Sequence, residues 1–502
     1  MRKEIPTVAI IGRPNVGKST LFNRFVGERR SIVSDISGTT RDSLIDKVTP
    51  NKHTYFLVDT AGLTTSGGDS LEDEIQTQAQ VASKHADLVL FLLDAQKELT
   101  QDDYQIAEDL RKSGRPVVLV ANKLDDSSSA EVWHLMELGL GEPLPISAKN
   151  NLGIWELEEA LDTALDKLGF EPPRALTEEE RAKEEADETI RVAFIGRPNV
   201  GKSSLLNALL GNSRAVVSDV AGTTRDTIDS HMFWNEETGE MVEINEQINE
   251  ANYEGENWKK FQFLDTAGLR KPGKVERDFE FWSVVRTSRA IERADVCCLL
   301  IDALDGVTHQ DTVILGKAIE AGKGIMVCVN KFDLAQEKSK AKEETDEREL
   351  AEVKMWDERL DKIREKYLGY LAQKIRFANW APVLFFSAKT TKGVQQVFPN
   401  AAGIFAERKK RISTSEMNRF VPEIFYNHVA PSVGTKMGKI KFASQVATRP
   451  PKFVFHVNNK DAFHFTYKRY LENKLREKYG FHGTPIWVDL RDSMEKFKGK
   501  KK

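Results

Sequence analysis

Two octapeptides of identical sequence stand out by their chemistry: Gly12-Arg13-Pro14-Asn15-Val16-Gly17-Lys18-Ser19 and Gly196-Arg197-Pro198-Asn199-Val200-Gly201-Lys202-Ser203. Each follows a short apolar run and opens a helix-like stretch, the setting in which this glycine and lysine spacing forms a phosphate-binding loop. Glycines let backbone N–H groups wrap around phosphate oxygens, and a helix N-terminus adds its partial positive charge. Lys18 and Lys202 are then placed to bridge β- and γ-phosphates, and the hydroxyls of Ser19 and Ser203 to ligate Mg2+.

Further motifs follow each loop in the same order. Asp59-Thr60-Ala61-Gly62-Leu63 and Asp265-Thr266-Ala267-Gly268-Leu269 supply a carboxylate that holds Mg2+ through water and a glycine amide that senses the γ-phosphate. Thr40 and Thr224, within Gly-Thr-Thr-Arg-Asp segments, offer the second Mg2+ hydroxyl. Asn122-Lys123-Leu124-Asp125 and Asn330-Lys331-Phe332-Asp333 carry base identity, because a carboxylate accepts from N1–H and the exocyclic amine of guanine, a pattern adenine lacks. Ser147-Ala148 and Ser387-Ala388 complete the base pocket. The expected catalytic groups are thus Lys18, Thr40, Gly62, Lys202, Thr224 and Gly268. Leu63 and Leu269 stand where Ras-like GTPases place a water-orienting Gln. A leucine cannot polarise water, so either hydrolysis is slow or another group supplies charge. Asn15 and Asn199 each offer a carbonyl oxygen for holding K+ beside the phosphates, where it would supply the charge of an arginine finger, the alternative being an Asn that merely shapes the loop.

The elements that must carry these motifs alternate between strand and helix. Apolar runs at 8–11, 56–58, 88–93 and 117–120 read as strands and 71–83 and 102–112 as helices, the pattern of a parallel sheet with crossover helices. The same order recurs after a shift of 184 residues, so the chain is a duplication. Two insertions in the second copy, around 235–257 and 336–361, read as solvated surface loops or helices. The domain reading is a first G domain at 1–169, an acidic linker at 170–190, a second G domain at 191–407 and a basic domain at 408–502.

Residues 400–502 hold 22 Lys and Arg against 9 Asp and Glu, although the whole chain is nearly balanced at −4. That asymmetry points to a polyanion-binding domain, with basic residues interleaved with aromatics and salt-sensitive contact to phosphate backbones expected. A helix, two strands, a long helix and a last strand suit a KH-like α/β domain. Gly480-Phe481-His482-Gly483 follows the long helix rather than joining two helices, and so reads as a helix stop and turn. Docking against the second G domain is a competing use of this basic domain. Cys297, Cys298 and Cys328 lie in apolar runs and read as reduced core residues. No run is long enough to span a membrane, and the N-terminus leaves no room for a targeting peptide, so a cytoplasmic protein is expected.

The twin loops, the twin Gly-Thr-Thr-Arg-Asp segments, and Val284-x-Arg286-Thr287 with Ala290-Ile-Glu-Arg-Ala-Asp295 together resemble the Der (EngA) family of bacterial GTPases. The resemblance implies two P-loop NTPase domains of the TRAFAC G type plus a C-terminal KH-like domain, GTP hydrolysis with Mg2+ and K+ stimulation, and assembly or stabilisation of the large ribosomal subunit through its rRNA. A monomer is expected, and no DNA partner. Two alternatives stay open at this point: an RNA-binding scaffold with one catalytically active G domain, and a GTPase acting in RNA modification.

Overall fold

A computed structural model describes residues 5–27, 45–60, 82, 85–124, 129–174, 177–211, 229–244, 250–253, 255, 257–264, 278–334, 352–427, 432–433 and 436–492. The chain divides into two compact units, residues 1–185 with 274–289 and residues 186–273 with 290–502.

The first unit is built on β1 (Thr7–Ile11), α1 (Lys18–Gly27), β2 (Ile45–Val48), β3 (Tyr55–Asp59), β4 (Leu88–Asp94), α2 (Gln101–Ser113), β5 (Val117–Asn122), β6 (Leu144–Pro145) and α3 (Ile154–Lys167). Its sheet runs β2-β3-β1-β4-β5-β6, parallel except for β2 on β3. β1, β3 and β4 are buried at every position, as continuous apolar strands covered on both faces must be. One apolar layer centres on Phe91, Leu110 and Leu135, and the other on Leu21, Leu90 and Leu161. The strand order reverses beside β1, so the loops after β1, β3 and β5 open at one carboxyl edge, the usual ligand crevice of such sheets.

Next along the chain, α4 (Glu178–Ala186) buries no residue, in keeping with the solvated linker read from its Glu-rich sequence. The second unit repeats the plan in β7 (Ile190–Ile195), α5 (Lys202–Gly211), β8 (Ser230–Asn235), β9 (Met241–Glu243), β10 (Trp258–Phe263), α6 (Asp278–Arg293, of which 278–289 count with the first unit), β11 (Val296–Asp302), α7 (His309–Glu320), β12 (Gly324–Asn330), α8 (Glu352–Lys374), β13 (Val383–Phe385) and α9 (Val397–Lys409). The sheet order is β13-β12-β11-β7-β10-β8-β9.

The first insertion does more than decorate the surface. Antiparallel pairing of β9 on β8 and of β8 on β10 extends the sheet. Aromatic residues explain the order: Tyr253 stacks on Phe233 at 5.0 Å, and Trp234 stacks on Phe398 at 5.9 Å. Of the second insertion, 335–351 lie outside the described residues, while α8 returns Tyr370, whose hydroxyl accepts from the N–H of Val307 at 2.9 Å.

The rest of the second unit is α10 (Thr414–Asn427), the short pair β14 (Ser432–Val433) and β15 (Lys436–Met437), β16 (Ile440–Ala447), β17 (Lys452–Val457), α11 (Phe465–Tyr479) and β18 (Trp487–Asp492). β16 pairs antiparallel and β18 parallel with the central β17. Ala443, Phe453, Phe455 and Val488 bury one sheet face against Phe420, Ile424, Leu471 and Leu475 of the helices. Gly480 ends α11 with φ of +87° and its N–H on the Arg476 carbonyl, so the turn reading of 480–483 holds. The turn also docks. Ile325 donates to the Gly483 carbonyl at 2.7 Å, Gly483 donates to the Trp380 carbonyl at 3.1 Å, and Arg476 lies 4.9 Å over the Trp380 ring. All three cysteines are buried, and no helix among the described residues is long and apolar enough to cross a membrane.

Candidate functional site

Each phosphate loop leaves the end of the first strand of its sheet and enters a helix whose first residue is the motif lysine. Asn15 and Asn199 sit in the left-handed region, φ 65° and 63°, and Gly17 and Gly201 at 103° and 99°. The glycines are required by proximity as well as by φ. A Cβ on Gly17 would lie 2.3 Å from Nδ2 of Asn122, and one on Gly201 would lie 2.2 Å from Nδ2 of Asn330.

These asparagines explain how distant motifs make one pocket. Asn122 donates to the Val16 carbonyl at 2.8 Å and accepts from the Ala148 N–H at 2.9 Å. Asn330 does the same with Val200 at 2.8 Å and Ala388 at 2.9 Å. One buried side chain thereby ties the glycine-rich loop, the Asn-Lys-x-Asp segment and the Ser-Ala segment together. The Ser147 hydroxyl accepts from Asn150 N–H and the Ser387 hydroxyl from Thr390 N–H, each at 3.2 Å, closing the last turn of the pocket. Lys123 reaches Asp94 at 2.8 Å and Lys331 reaches Asp302 at 2.7 Å, and both lysines hold positive φ. Burial raises the Asp302 carboxyl, but Lys331 and the N–H of Leu304 more than offset it and hold the group below its ordinary value.

Lys18 and Lys202 curl over their own loops. Lys18 donates to the carbonyls of Gly12 at 2.5 Å and Arg13 at 2.8 Å, and Lys202 to those of Gly196 at 2.8 Å and Arg197 at 2.7 Å. Neutral carbonyls compensate poorly for lost water, so burial pulls both ammonium groups down to about 8, with Asp59 opposing the shift at Lys18 and Asp311 at Lys202. A cation desolvated in this way gains most from an arriving phosphate.

Asp59 closes β3 and is 4% exposed, while Thr60 beside it donates to the Ile10 carbonyl at 2.7 Å. Ser19, in the first turn of α1, is exposed, as are Asn15 and Asn199. A hydroxyl and a carboxylate are hard oxygen donors suited to Mg2+. In the second pocket, Oδ1 of Asp333 is buried and makes no hydrogen bond among the described residues, the condition of a carboxylate whose partner is a ligand. Thr40, Ala61, Gly62, Leu63, Asp125, Thr224, Asp265, Thr266, Ala267, Gly268 and Leu269 lie outside the described residues.

The arginine of each loop has a partner that motif reading does not find. Arg13 Nε donates to Oδ1 of Asp103 at 2.8 Å, and the other Asp103 oxygen accepts from the backbone N–H and the hydroxyl of Thr100, both at 3.0 Å. The wholly buried Asp103 thus latches the back of the phosphate loop to the start of α2. In the second domain Asp311 accepts from Thr308 at 2.9 and 2.8 Å, but Arg197 stands 3.7 Å away and bonds Asp305 at 2.9 Å. The available signal was Thr-x-x-Asp, a capping-box pattern present at 100–103 and 308–311.

Comparison with known proteins agrees with this geometry. The family described as 50S ribosome-binding GTPase matches residues 7–123 and again 191–331, and the KH-domain-like family of EngA bacterial GTPase enzymes matches 411–491. GTPase Der of Lachnoclostridium phytofermentans is 39% identical over 490 residues, covering 97% of this chain and 98% of that protein. GTPase Der of Thermomicrobium roseum is 40% identical over 495 residues, covering 97% and 96%. Among solved structures, the FeoB G domain of Methanococcus jannaschii is 27% identical, with 33% of this chain and 99% of that chain covered and a TM-score of 0.25. With two matches to one GTPase family and 39–40% identity to such relatives over nearly the whole of both chains, the chain belongs to the Der (EngA) family of GTP-hydrolysing proteins.

Proposed function

We propose that this GTPase assembles or stabilises the large ribosomal subunit in the cytosol as a monomer, its two nucleotide pockets governing when the basic C-terminal domain meets rRNA. The observation that carries the reading is the pairing of two GTPase domains with a KH-like domain in a C-terminal stretch of 22 Lys and Arg against 9 Asp and Glu, on a chain whose net charge is −4. The working domains are 1–169 and 191–407, joined by the linker 170–190 and followed by 408–502.

In each pocket the loop amides and Lys18 or Lys202 cradle the β- and γ-phosphates, and Asp125 or Asp333 reads guanine. Mg2+ is held by Ser19 with Thr40 and by Ser203 with Thr224, with Asp59 and Asp265 acting through water. Bound there, it neutralises charge that develops on the phosphate oxygens. Gly62 and Gly268 sense the γ-phosphate. With leucine at 63 and 269, hydrolysis draws on K+ held through Asn15 and Asn199, both of which are exposed. Equal turnover in matched Na+ and K+ buffers would remove K+ from this account.

Co-sedimentation with purified ribosomal subunits tests the whole. Binding to the large subunit should differ between a non-hydrolysable GTP analogue and GDP, and should weaken steeply between two salt concentrations. Identical binding in both nucleotide states overturns nucleotide control, and absence of binding overturns the ribosomal role.

A further inference from the structure

The Gly480-x-x-Gly483 turn is closed to RNA, because Phe481 and Gly483 are buried and a Cβ on Gly483 would stand 2.4 Å from Cγ1 of Ile404. Nucleic acid must therefore meet this domain elsewhere. Its helices cover only one face of the three-stranded sheet, and the side chains that alternate away from them form the other. Strand register sets Phe442, His456 and Arg491 in one row across that outer face. The Phe442 ring is 41% exposed and stacks on the His456 ring, with centroids 4.1 Å apart and planes 15° apart. A bulge between Ile440 and Phe442 places the exposed Lys441 beside the row, and Arg491 at its far end is exposed as well. Acidic groups nearby are engaged: Asp489 pairs with Lys452 at 2.8 Å, and Asp492 accepts from the Lys460 N–H at 2.7 Å.

We propose that the Phe442–His456–Arg491 row is a stacking platform for unpaired RNA bases, with Lys441 and Arg491 contacting the flanking phosphates. A flat aromatic pair flanked by cations matches a splayed single strand. A duplex, whose bases face one another, offers such a row only its backbone. The platform rests on the rRNA-binding reading above and specifies where and in what form the RNA is held.

The test uses the full-length protein and a single-stranded RNA of about 12 nucleotides carrying 2-aminopurine, whose fluorescence is quenched by stacking. Wild type should bind and change the quench. Phe442→Ala should weaken binding about tenfold and abolish the change, Phe442→Trp should retain both, and melting temperature should fall only modestly because the ring keeps 41% of its surface exposed. If Phe442→Ala proves unstable, Lys441→Gln with Arg491→Gln decides instead, lowering the slope of log affinity against log salt by about 0.7 for each phosphate no longer neutralised. Wild-type affinity in the Phe442→Ala protein, or equal competition by a duplex of the same sequence, overturns the platform and leaves RNA binding standing. Failure of the wild type to bind any RNA overturns both.

Discussion

Replacing Asp103 by Asn isolates the latch behind the first phosphate loop. Asparagine keeps the volume and can still accept from Thr100, but it carries no charge for the Arg13 guanidinium, which is 2.8 Å away and whose side chain is only 19% exposed. Hydrogen bonds to charged groups contribute about 1.5–3 kcal/mol each, and partial hydration of the released arginine brings the expected loss to about 2 kcal/mol. If that strain is expressed in the loop, the first domain's nucleotide affinity falls about 30-fold, since about 1.4 kcal/mol is tenfold. Asp311→Asn should cost the second domain far less, about two- to fivefold, because Arg197 is 3.7 Å from Asp311 and keeps Asp305. Titration with a fluorescent GDP analogue reads this out, with the other pocket disabled by Lys202→Ala or Lys18→Ala in turn. Equal losses in the two domains would refute the geometric argument. Reduced thermal stability with unchanged affinity would reduce Asp103 to a helix cap.

Nucleotide binding should take up protons at alkaline pH. Lys18 and Lys202 titrate near 8 when their pockets hold only carbonyls and rise when phosphate arrives, so affinity is full below about 8 and declines above it, by up to tenfold per pH unit for each lysine. Calorimetry at pH 8.5 in two buffers of different ionisation enthalpy should show uptake, and none would mean the ammonium groups are already fully charged. Asp333→Asn should lose guanine nucleotide at the second pocket while gaining xanthine nucleotide, whose C2 carbonyl accepts from the new amide, and a binding stoichiometry still at two GDP would contradict the base-reading role. Gly483→Ala should loosen the turn by about 1–3 kcal/mol, given φ of +67° and the close Ile404. Limited proteolysis should then release the C-terminal domain faster, and unchanged cleavage would deny the turn its docking role. Burial pushes the Glu472 carboxyl up to about 7, against Arg476, Arg469 and Lys468. The folded protein thus binds a proton that the unfolded chain sheds between about 4.5 and 7, so stability falls with pH across that window. Glu472→Gln should raise the melting temperature at pH 8 and not at pH 5, and a pH-independent effect would reject the linkage.

What could be read in the sequence was local chemistry in fixed order. Loop motifs and apolar parallel strands are each specified by a few adjacent residues, so the apolar runs at 8–11, 56–58, 88–93 and 117–120 marked strands of the first sheet, and the repeated octapeptide marked where the plan recurs. Partners supplied by other elements could not be read in the same way. Asp103 looks like an ordinary helix cap until the sheet brings α2 behind the phosphate loop, 90 residues from Arg13. Asn122, expected at the base through its motif, has its side chain committed to Val16 and Ala148, so it joins three segments instead. The insertion around 235–257 reads as solvated by composition, yet β9 pairs with β8 and Tyr253 stacks on Phe233, which hold it to the sheet edge. Gly480 and Gly483 were correctly read as a turn, but the burial of Gly483 against Trp380 and Ile325 depends on a surface formed by segments about 100 and 160 residues upstream. The same limit explains the Phe442–His456–Arg491 row. None of the three residues is distinctive alone, and only the pairing of β16 and β18 on either side of β17 makes them one surface. Duplication sharpens the contrast, because both loops keep eight identical residues while the spacing behind them has diverged from 2.8 Å to 3.7 Å. Both copies present the same eight residues to a phosphate. The supporting contacts answer only to packing, and there the two pockets are free to acquire different affinities.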